Sequence, residues 1–320
     1  MDTPAEIAAA IAEIHRRLEE SGGESIGLFE MNLSYIPYPL PPTLKSLWCM
    51  TIPINTLPLL PPTLEELTCN TTQITSLPPL PPTLTRLHCH KTPITTLPPL
   101  PPTLKFISIG NTQITSLPPL PPTLEELRCH TTQFTSLPSL PPTLTSLHCH
   151  NTPITTLPPL PPTLEYLSIG NTQITSLPPL PPTLEELICG ETQIISLPPL
   201  PPRLKILKCS NTQFMSLPPL PPKLSTIYCE NTQLVTLPPL PPKLSTIYCV
   251  NTQLVTLPPL LHVSLCYISN NKQLLIKPPE NMTVLHGNDL IEYDNKWFEL
   301  YTRLGRALRA ELAARFIRGQ

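Results

Sequence analysis

Residues 61–80 read PPTLEELTCNTTQITSLPPL, and close copies of this segment follow one another with a period of 20 residues. Leucine returns at Leu64, Leu84 and every twentieth position as far as Leu244. The chain has 320 residues and 50 of them are proline, a composition that usually indicates disorder. A disordered chain has no reason to hold leucine in a fixed register, so the pattern predicts a repeat protein.

Each copy also predicts its own local structure. Leu67, Thr68 and Cys69 alternate apolar, polar and apolar, which is typical of a short strand with one face inward. The proline-rich return at 77–82 cannot be helical and should run as polyproline II. One copy cannot bury its apolar face alone, whereas stacked copies can. We therefore predict an α/β repeat solenoid with a parallel β-sheet on its concave face, a polyproline II-like convex face and α-helical caps at both ends.

The pattern divides the chain into three segments. We expect an N-terminal helical cap at 1–23, the 20-residue repeats at 24–260, and degenerate repeats with a C-terminal helical cap at 261–320. About eleven of the repeats are regular, and the first copy is irregular and one residue out of phase. Residues 295–318 have a helical period with one apolar face and one arginine-rich face. This helix either caps the last strand or engages a partner or a membrane surface.

Composition bounds the class of partner and the compartment. The net charge is −2 and 13% of the residues are charged, which does not favour nucleic acid. No apolar run reaches the roughly 18 residues of a membrane span, and the N-terminal segment is unlike a signal peptide. We therefore expect no membrane or nucleic-acid partner and a reducing, cytoplasmic location.

Most of the cysteines share one position of the repeat, where Ile109 and Ile169 also occur. A position that accepts cysteine or isoleucine is typical of an apolar core, so we predict buried free thiols. The alternative is a redox-active ladder, which would need an exposed, electropositive setting. The nine cysteines at this position are Cys49, Cys69, Cys89, Cys129, Cys149, Cys189, Cys209, Cys229 and Cys249.

The motif Leu64-x-x-Leu67-x-Cys69-x-x-Thr72-x-Ile74 resembles the leucine-rich repeat. With its Leu-Pro-x-Leu-Pro-x return, the array is similar to the short 20-residue subclass of bacterial type III effectors, the YopM and IpaH proteins. Such uniform arrays also resemble those of large DNA viruses. The resemblance implies a non-catalytic scaffold, in the host cytoplasm if the protein is an effector or viral. The family's asparagine ladder is threonine here, and we expect its hydroxyls to bond the neighbouring turn.

Columns of histidine and pairs of glutamate could form a metal site or a catalytic site, and each also has a purely structural interpretation. His130 and His150 should lie on adjacent strands at about 4.8 Å, a spacing that a transition metal could use. No third ligand is evident beside them, so a polar, adaptable binding face is the alternative. The glutamate pairs, such as those at 125–126 and 185–186, lie on an open face and read as cross-strand charge pairs rather than catalytic carboxylates. A 60-residue duplication can also account for these columns. We predict no catalytic residue, metal or cofactor.

Large apolar side chains at outward strand positions are the strongest functional signal, because a soluble face has no structural need for them. Scattered surface apolar residues are the alternative reading. The hypothesis is a protein–protein interaction scaffold, either monomeric or a weak homo-oligomer, that binds a protein partner on its concave face. The alternative is a structural or self-assembling repeat protein. The residues expected to contact the partner are Phe106, Tyr166, Ile188, Ile206, Tyr228, Tyr248, His130, His148 and His150.

Overall fold

The computed structural model describes residues 4–29, 31, 34–36, 39–258, 263 and 265–268. The predicted C-terminal helix at 295–318 and most of the predicted degenerate repeats lie outside these residues. The elements are α1 (Pro4–Glu20), β1 (Ser25–Gly27), β2 (Ser46–Trp48), β3 (Glu66–Thr68), β4 (Arg86–His88), β5 (Phe106–Ser108), β6 (Glu126–Arg128), β7 (Ser146–His148), β8 (Tyr166–Ser168), β9 (Glu186–Ile188), β10 (Ile206–Lys208), β11 (Thr226–Tyr228), β12 (Thr246–Tyr248) and β13 (Leu265–Tyr267).

The strands of the described residues form one parallel sheet of thirteen strands in chain order, which is the sheet of a solenoid. Adjacent strands from β2 to β12 pair with an offset of 20 residues, so that equivalent residues form columns along the solenoid. The first copy is out of phase by one residue, because Ser25 pairs with Ser46. The last pair is offset the other way, with Thr246 opposite Leu265.

Helix α1 closes the N-terminal end of the solenoid, as the sequence predicts. It begins at Pro4 and ends at Glu20, and Gly22 and Gly23 follow with φ values of 65° and 77°. Glycine suits these left-handed positions because it has no Cβ. Ile14 and Leu18 are buried against the first repeats. Arg17 donates a hydrogen bond of 2.5 Å from Nη1 to the carbonyl oxygen of Gly27 and so ties the helix to β1.

The inward columns form one continuous core. The central strand residue of β2 to β12 is leucine or isoleucine and is fully buried. The nine cysteines of the column that follows each strand are free and buried, and Ile109 and Ile169 fill the same column. This confirms the prediction of a cysteine core. Burial raises the pKa of Cys49 and of Cys189 to about 12, so both thiols are protonated at neutral pH.

The buried threonine column lies just beyond the strands, in place of the expected asparagine ladder. Thr72 donates a hydrogen bond of 2.8 Å from Oγ1 to the carbonyl oxygen of Cys69, and Thr112 bonds Ile109 in the same way. The expectation that these hydroxyls bond the neighbouring turn is wrong. At this position of the repeat the hydroxyl bonds a carbonyl of its own turn, three residues back.

The residue before each buried threonine has a left-handed backbone, as has Thr51 before Ile52 in the first regular copy, with φ between 53° and 58° in these eleven consecutive repeats. Asparagine tolerates this conformation better than most residues, and six of the eleven positions are asparagine. Some of their side chains bond each other between repeats: Asn171 Nδ2 donates to Asn151 Oδ1 at 2.9 Å, and Asn251 Nδ2 donates to Asn231 Oδ1 at 2.8 Å. The array thus has an amide ladder one position earlier than the family pattern implies.

The return segments contain neither helix nor strand, in agreement with the prediction for the convex side. Their leucines, such as Leu77 and Leu80, pack half-buried against the core. No helix of the described residues is long and apolar enough to cross a membrane.

Candidate functional site

The concave face of the sheet is built from the two outward positions of each strand. In β9 to β13 the second of these positions holds Ile188, Lys208, Tyr228, Tyr248 and Tyr267, which are paired in that order. The rings of Tyr228 and Tyr248 stack at 4.4 Å between centroids, and those of Tyr248 and Tyr267 at 4.3 Å. We call Tyr228, Tyr248 and Tyr267 the tyrosine row. Tyr228 and Tyr248 are predicted contact residues, and Tyr267 extends their row to β13.

Burial and the neighbouring phenols raise the pKa of Tyr248 to about 12. The hydroxyl is therefore neutral at physiological pH and can donate or accept a hydrogen bond. Lys208 lies 5.9 Å from the centre of the Tyr228 ring, and its ammonium group bonds the Glu186 carboxylate at 2.9 Å. The row is a rigid, amphipathic surface because each ring is held by its neighbour.

The central part of the concave face is lined by histidine and tyrosine. The rings of His130 and His150 stack at 4.7 Å with an angle of 3° between them, as the predicted column spacing requires. His148 stacks on Tyr166 at 4.3 Å, and its Nε2 lies 3.0 Å from the Ser146 hydroxyl.

Burial lowers the pKa of each histidine on this face, and nearby positive charge lowers it further in most cases. The pKa of His148 falls to about 4, first through burial and then through Arg128. The pKa values of His130 and His150 are lowered mainly by burial. These imidazoles are neutral at pH 7, so they present hydrogen-bonding groups and ring faces rather than positive charge.

Phe106 is an exception among the expected contact residues. It faces the concave side as expected but is 7% exposed. The guanidinium carbon of Arg86 lies 4.8 Å from its ring centre, that of Arg128 lies at 5.4 Å, and His88 stacks on it at 4.5 Å. These three side chains cover the ring, so Phe106 supports the face and offers a partner little surface of its own.

A depression of about 440 Å³ opens on the concave face between β7 and β11. Its floor forms where two consecutive repeats have glycine, Gly170 and Gly190, after the strand. Gly110 has the same position, but the His130 ring occupies the space beside it, and the other equivalent positions hold larger residues such as His130 and His150. A Cβ on Gly190 would lie 2.7 Å from the carbonyl oxygen of Ser210, so this repeat packs too closely for a side chain.

The depression brings together four of the nine expected contact residues. Its lining combines apolar and aromatic surface with an amide rim, and consists of His150, Asn151, Tyr166, Ser168, Gly170, Asn171, Ile188, Gly190, Glu191, Lys208, Ser210, Asn211 and Tyr228. Ile206 lies on β10, whose Lys208 lines the depression, and Tyr248 lies on the neighbouring β12, whereas Phe106 lies on β5 outside it. The glycine floor and the asparagine rim were missed by sequence reasoning. The loss of a side chain in consecutive copies is the signal that could have found them.

Four carboxylates of the array, those of Glu125, Glu126, Glu185 and Glu186, form surface ion pairs with lysine or arginine. Lys105 bonds Glu125 at 3.1 Å and Lys205 bonds Glu185 at 2.5 Å, both between adjacent repeats and both exposed, as the sequence predicts. Among the residues that the structure describes, no group of three or more His, Cys, Asp or Glu side chains is arranged to hold a metal ion.

Comparison with known proteins gives the same picture. The family model described as "Leucine Rich repeats (2 copies)" matches residues 142–182. The array is a leucine-rich-repeat solenoid. Leucine-rich repeats commonly mediate protein–protein interaction. No curated protein sequence matches the chain.

Solved structures place the solenoid near bacterial effectors. YopM from Yersinia enterocolitica WA-314 has 32% identity and a TM-score of 0.68, over 80% of this chain and 62% of that one. The present chain therefore spans less than two thirds of that protein. The leucine-rich effector YopM from Yersinia pestis has 27% identity and a TM-score of 0.66, over 85% and 94% of the two chains. The functional domain of InlJ from Listeria monocytogenes, which includes a cysteine ladder, shares the fold at 24% identity and a TM-score of 0.61, over 68% and 51%.

Proposed function

We propose that the chain is a non-catalytic scaffold that binds a protein partner on the concave face of its sheet. The observation that carries this proposal is the group of large outward side chains on β8 to β12, of which Tyr166, Ile188 and Tyr228 line the open depression. Ile206 and Tyr248 belong to the same group. Stacked tyrosines lose little conformational freedom on binding and contribute both apolar area and a hydroxyl group.

The surface fits a protein better than a small substrate. The depression is open, and burial lowers the pKa of His150, the histidine that lines it, so that this imidazole offers a neutral polar group beside the Ser168 hydroxyl at 3.2 Å. Aromatic anchors surrounded by neutral polar groups are the usual composition of the centre of a protein interface.

The test uses a double variant, Tyr228→Ser with Tyr248→Ser, in a pull-down from cell lysate quantified by mass spectrometry. Each variant removes an aromatic anchor, and such losses typically weaken binding by about 2 kcal/mol or more, roughly thirtyfold. A protein captured by the native chain should be lost from the double variant.

The matched control is Val235→Thr with Val255→Thr, in the same two repeats but on another side of the solenoid. Threonine is the residue of this column in the earlier copies, at Thr75 to Thr175. Both variants must keep the native circular dichroism spectrum. Equal capture by the native chain and the tyrosine variant would rule out the tyrosine row as the site.

Self-association is a second candidate function, which one observation favours. Ile195 and Met215 are 70% and 68% exposed, and Val235 continues their column at 38%. Light scattering over a concentration series should show association if this column is an interface, and Ile195→Thr with Met215→Thr should abolish it. A native chain that stays monomeric throughout the series excludes self-association.

A further inference from the structure

A threonine column at the edge of the sheet holds adjacent repeats together. The hydroxyl of Thr63 lies 2.7 Å from the carbonyl oxygen of Pro42 and 2.8 Å from that of Leu44, both in the preceding repeat. The same bridge is made, with distances of 2.6–2.9 Å, by Thr83, Thr103, Thr123, Thr143, Thr163 and Thr183.

The next three repeats replace this threonine by Arg203, Lys223 and Lys243, which we call the basic row. All three residues are exposed, and none has a hydroxyl that could make the bridge. Adjacent strands lie about 4.8 Å apart, so the row also places like charges in neighbouring positions. The replacement therefore removes a stabilising contact between repeats and adds repulsion.

The charge of the row is not balanced by its surroundings. Residues 201–258 contain five basic residues and one acidic residue, Glu230, a net charge of +4. Two of the five, Lys205 and Lys208, form ion pairs with glutamates of the preceding repeat. The ion pairs between described residues include none from the basic row.

The positive charges of the basic row lower the pKa of a nearby carboxylate, that of Glu185. The hydrogen bond from Lys205 lowers the pKa of Glu185 most, against burial, and the charges of Arg203 and Lys223 lower it further. A row that stabilises one carboxylate in this way can do the same for an anionic group of a ligand.

We propose that the basic row docks an acidic peptide segment of a protein partner, rich in aspartate and glutamate. This surface is separate from the concave contact proposed above, because it lies where the chain enters the strands. The row covers three repeats, about 10 Å from first to last, which suits a short segment.

A longer polyanion is disfavoured by the rest of the array. Residues 61–200 contain four basic and eight acidic residues, a net charge of −4. Duplex nucleic acid or an anionic bilayer would extend over these repeats and be repelled, whereas a short acidic segment meets the basic row alone.

The test measures binding of a fluorescein-labelled glutamate peptide of about ten residues by fluorescence anisotropy, at about 50 mM and about 150 mM NaCl. The variant is Arg203→Thr, Lys223→Thr and Lys243→Thr together, which restores the residue of the earlier copies. We expect the native chain to bind the peptide, and to bind it more weakly at the higher salt. The affinity of the variant should be lower by a factor of about ten or more. The variant should also melt at a higher temperature, because the threonine bridges return.

The matched control is Lys45→Thr, Lys91→Thr and Lys105→Thr together. It also removes three positive charges, but from other parts of the array, at repeat positions where threonine occurs in other copies. This variant should bind the peptide with the native affinity. The single variant Lys223→Thr, with a partial loss of affinity, provides the measurement if a triple variant fails to fold. The proposal is overturned if the native chain does not bind the peptide, if the two triple variants bind it equally, or if duplex DNA or phosphatidylserine vesicles bind more tightly. Because none of these results depends on Tyr228 or Tyr248, they leave the concave-face proposal to its own test.

Discussion

The cysteine column makes a quantitative prediction about thiol reactivity. Cys266 is first replaced by serine, so that the nine buried cysteines of the column are the remaining thiols. The native chain and the chain in denaturant are then exposed to an excess of a chromogenic disulfide reagent at pH 8. The thiolate is the reacting species, so the rate follows the fraction of thiol that is ionised.

The structure sets the size of the effect. The pKa of Cys189 rises from an ordinary 9.0 to about 12 because the thiol is fully buried. At pH 8 the thiolate fraction falls from about 10% to about 0.01%, so the native thiol should react about a thousandfold more slowly than the unfolded one. Exclusion of the reagent from the core slows it further.

The assay follows absorbance of the released chromophore over hours. The native chain should show no fast phase, and the denatured chain should release the equivalent of nine thiols at once. If native cysteines react within seconds, the column does not face the core and the inward positions of every strand have been misassigned. Because the strands alternate, that result would also move the tyrosine row off the concave face.

Three further predictions concern stability and are checked by urea unfolding. Thr112→Val should lower the free energy of unfolding by about 1–2 kcal/mol, because it leaves a buried carbonyl without its donor, whereas Thr112→Ser keeps the hydroxyl and should lose less. The native chain should be less stable at pH 5 than at pH 7, because His148 has a pKa of about 6.5 in the unfolded chain and about 4 in the folded chain. The loss in the free energy of unfolding is at most about 2 kcal/mol, because solvent screening reduces it. His148→Gln should remove the contribution of His148 to this pH dependence. Gly190→Ala should destabilise the chain more than Gly170→Ala, because the added Cβ would lie 2.7 Å from a backbone oxygen in the first case and 3.2 Å in the second. Equal effects in any of these pairs would contradict the packing described.

The sequence predicted the strands to within one residue, and the reason is the strict period. Leu67, Cys69 and their equivalents must point inward, since stacked copies have no other apolar surface to bury. The same argument predicted the pairing of Lys105 with Glu125, because residues 20 apart lie side by side. It failed at Thr72, whose hydroxyl bonds the carbonyl oxygen of Cys69 in its own turn and not a neighbouring turn.

The candidate site was predicted less completely, because its shape depends on how neighbouring copies differ. Outward positions identified Tyr166, Ile188 and Tyr228 as surface residues but did not show that they surround a depression. Two successive glycines, Gly170 and Gly190, line that depression together with His150. A single copy carries no trace of it.

The sequence by itself determined the repeat, the inward columns and the parallel order of the strands, since each follows from one local pattern copied many times. Tertiary structure alone decided which outward side chains remain accessible. Phe106 is covered by Arg86 and Arg128 from the repeats on either side, while Tyr228 and Tyr248 stack and stay half-exposed. The physical reason is that exposure on the concave face depends on the side chains of three successive repeats at once, whereas burial in the core depends on the position within one.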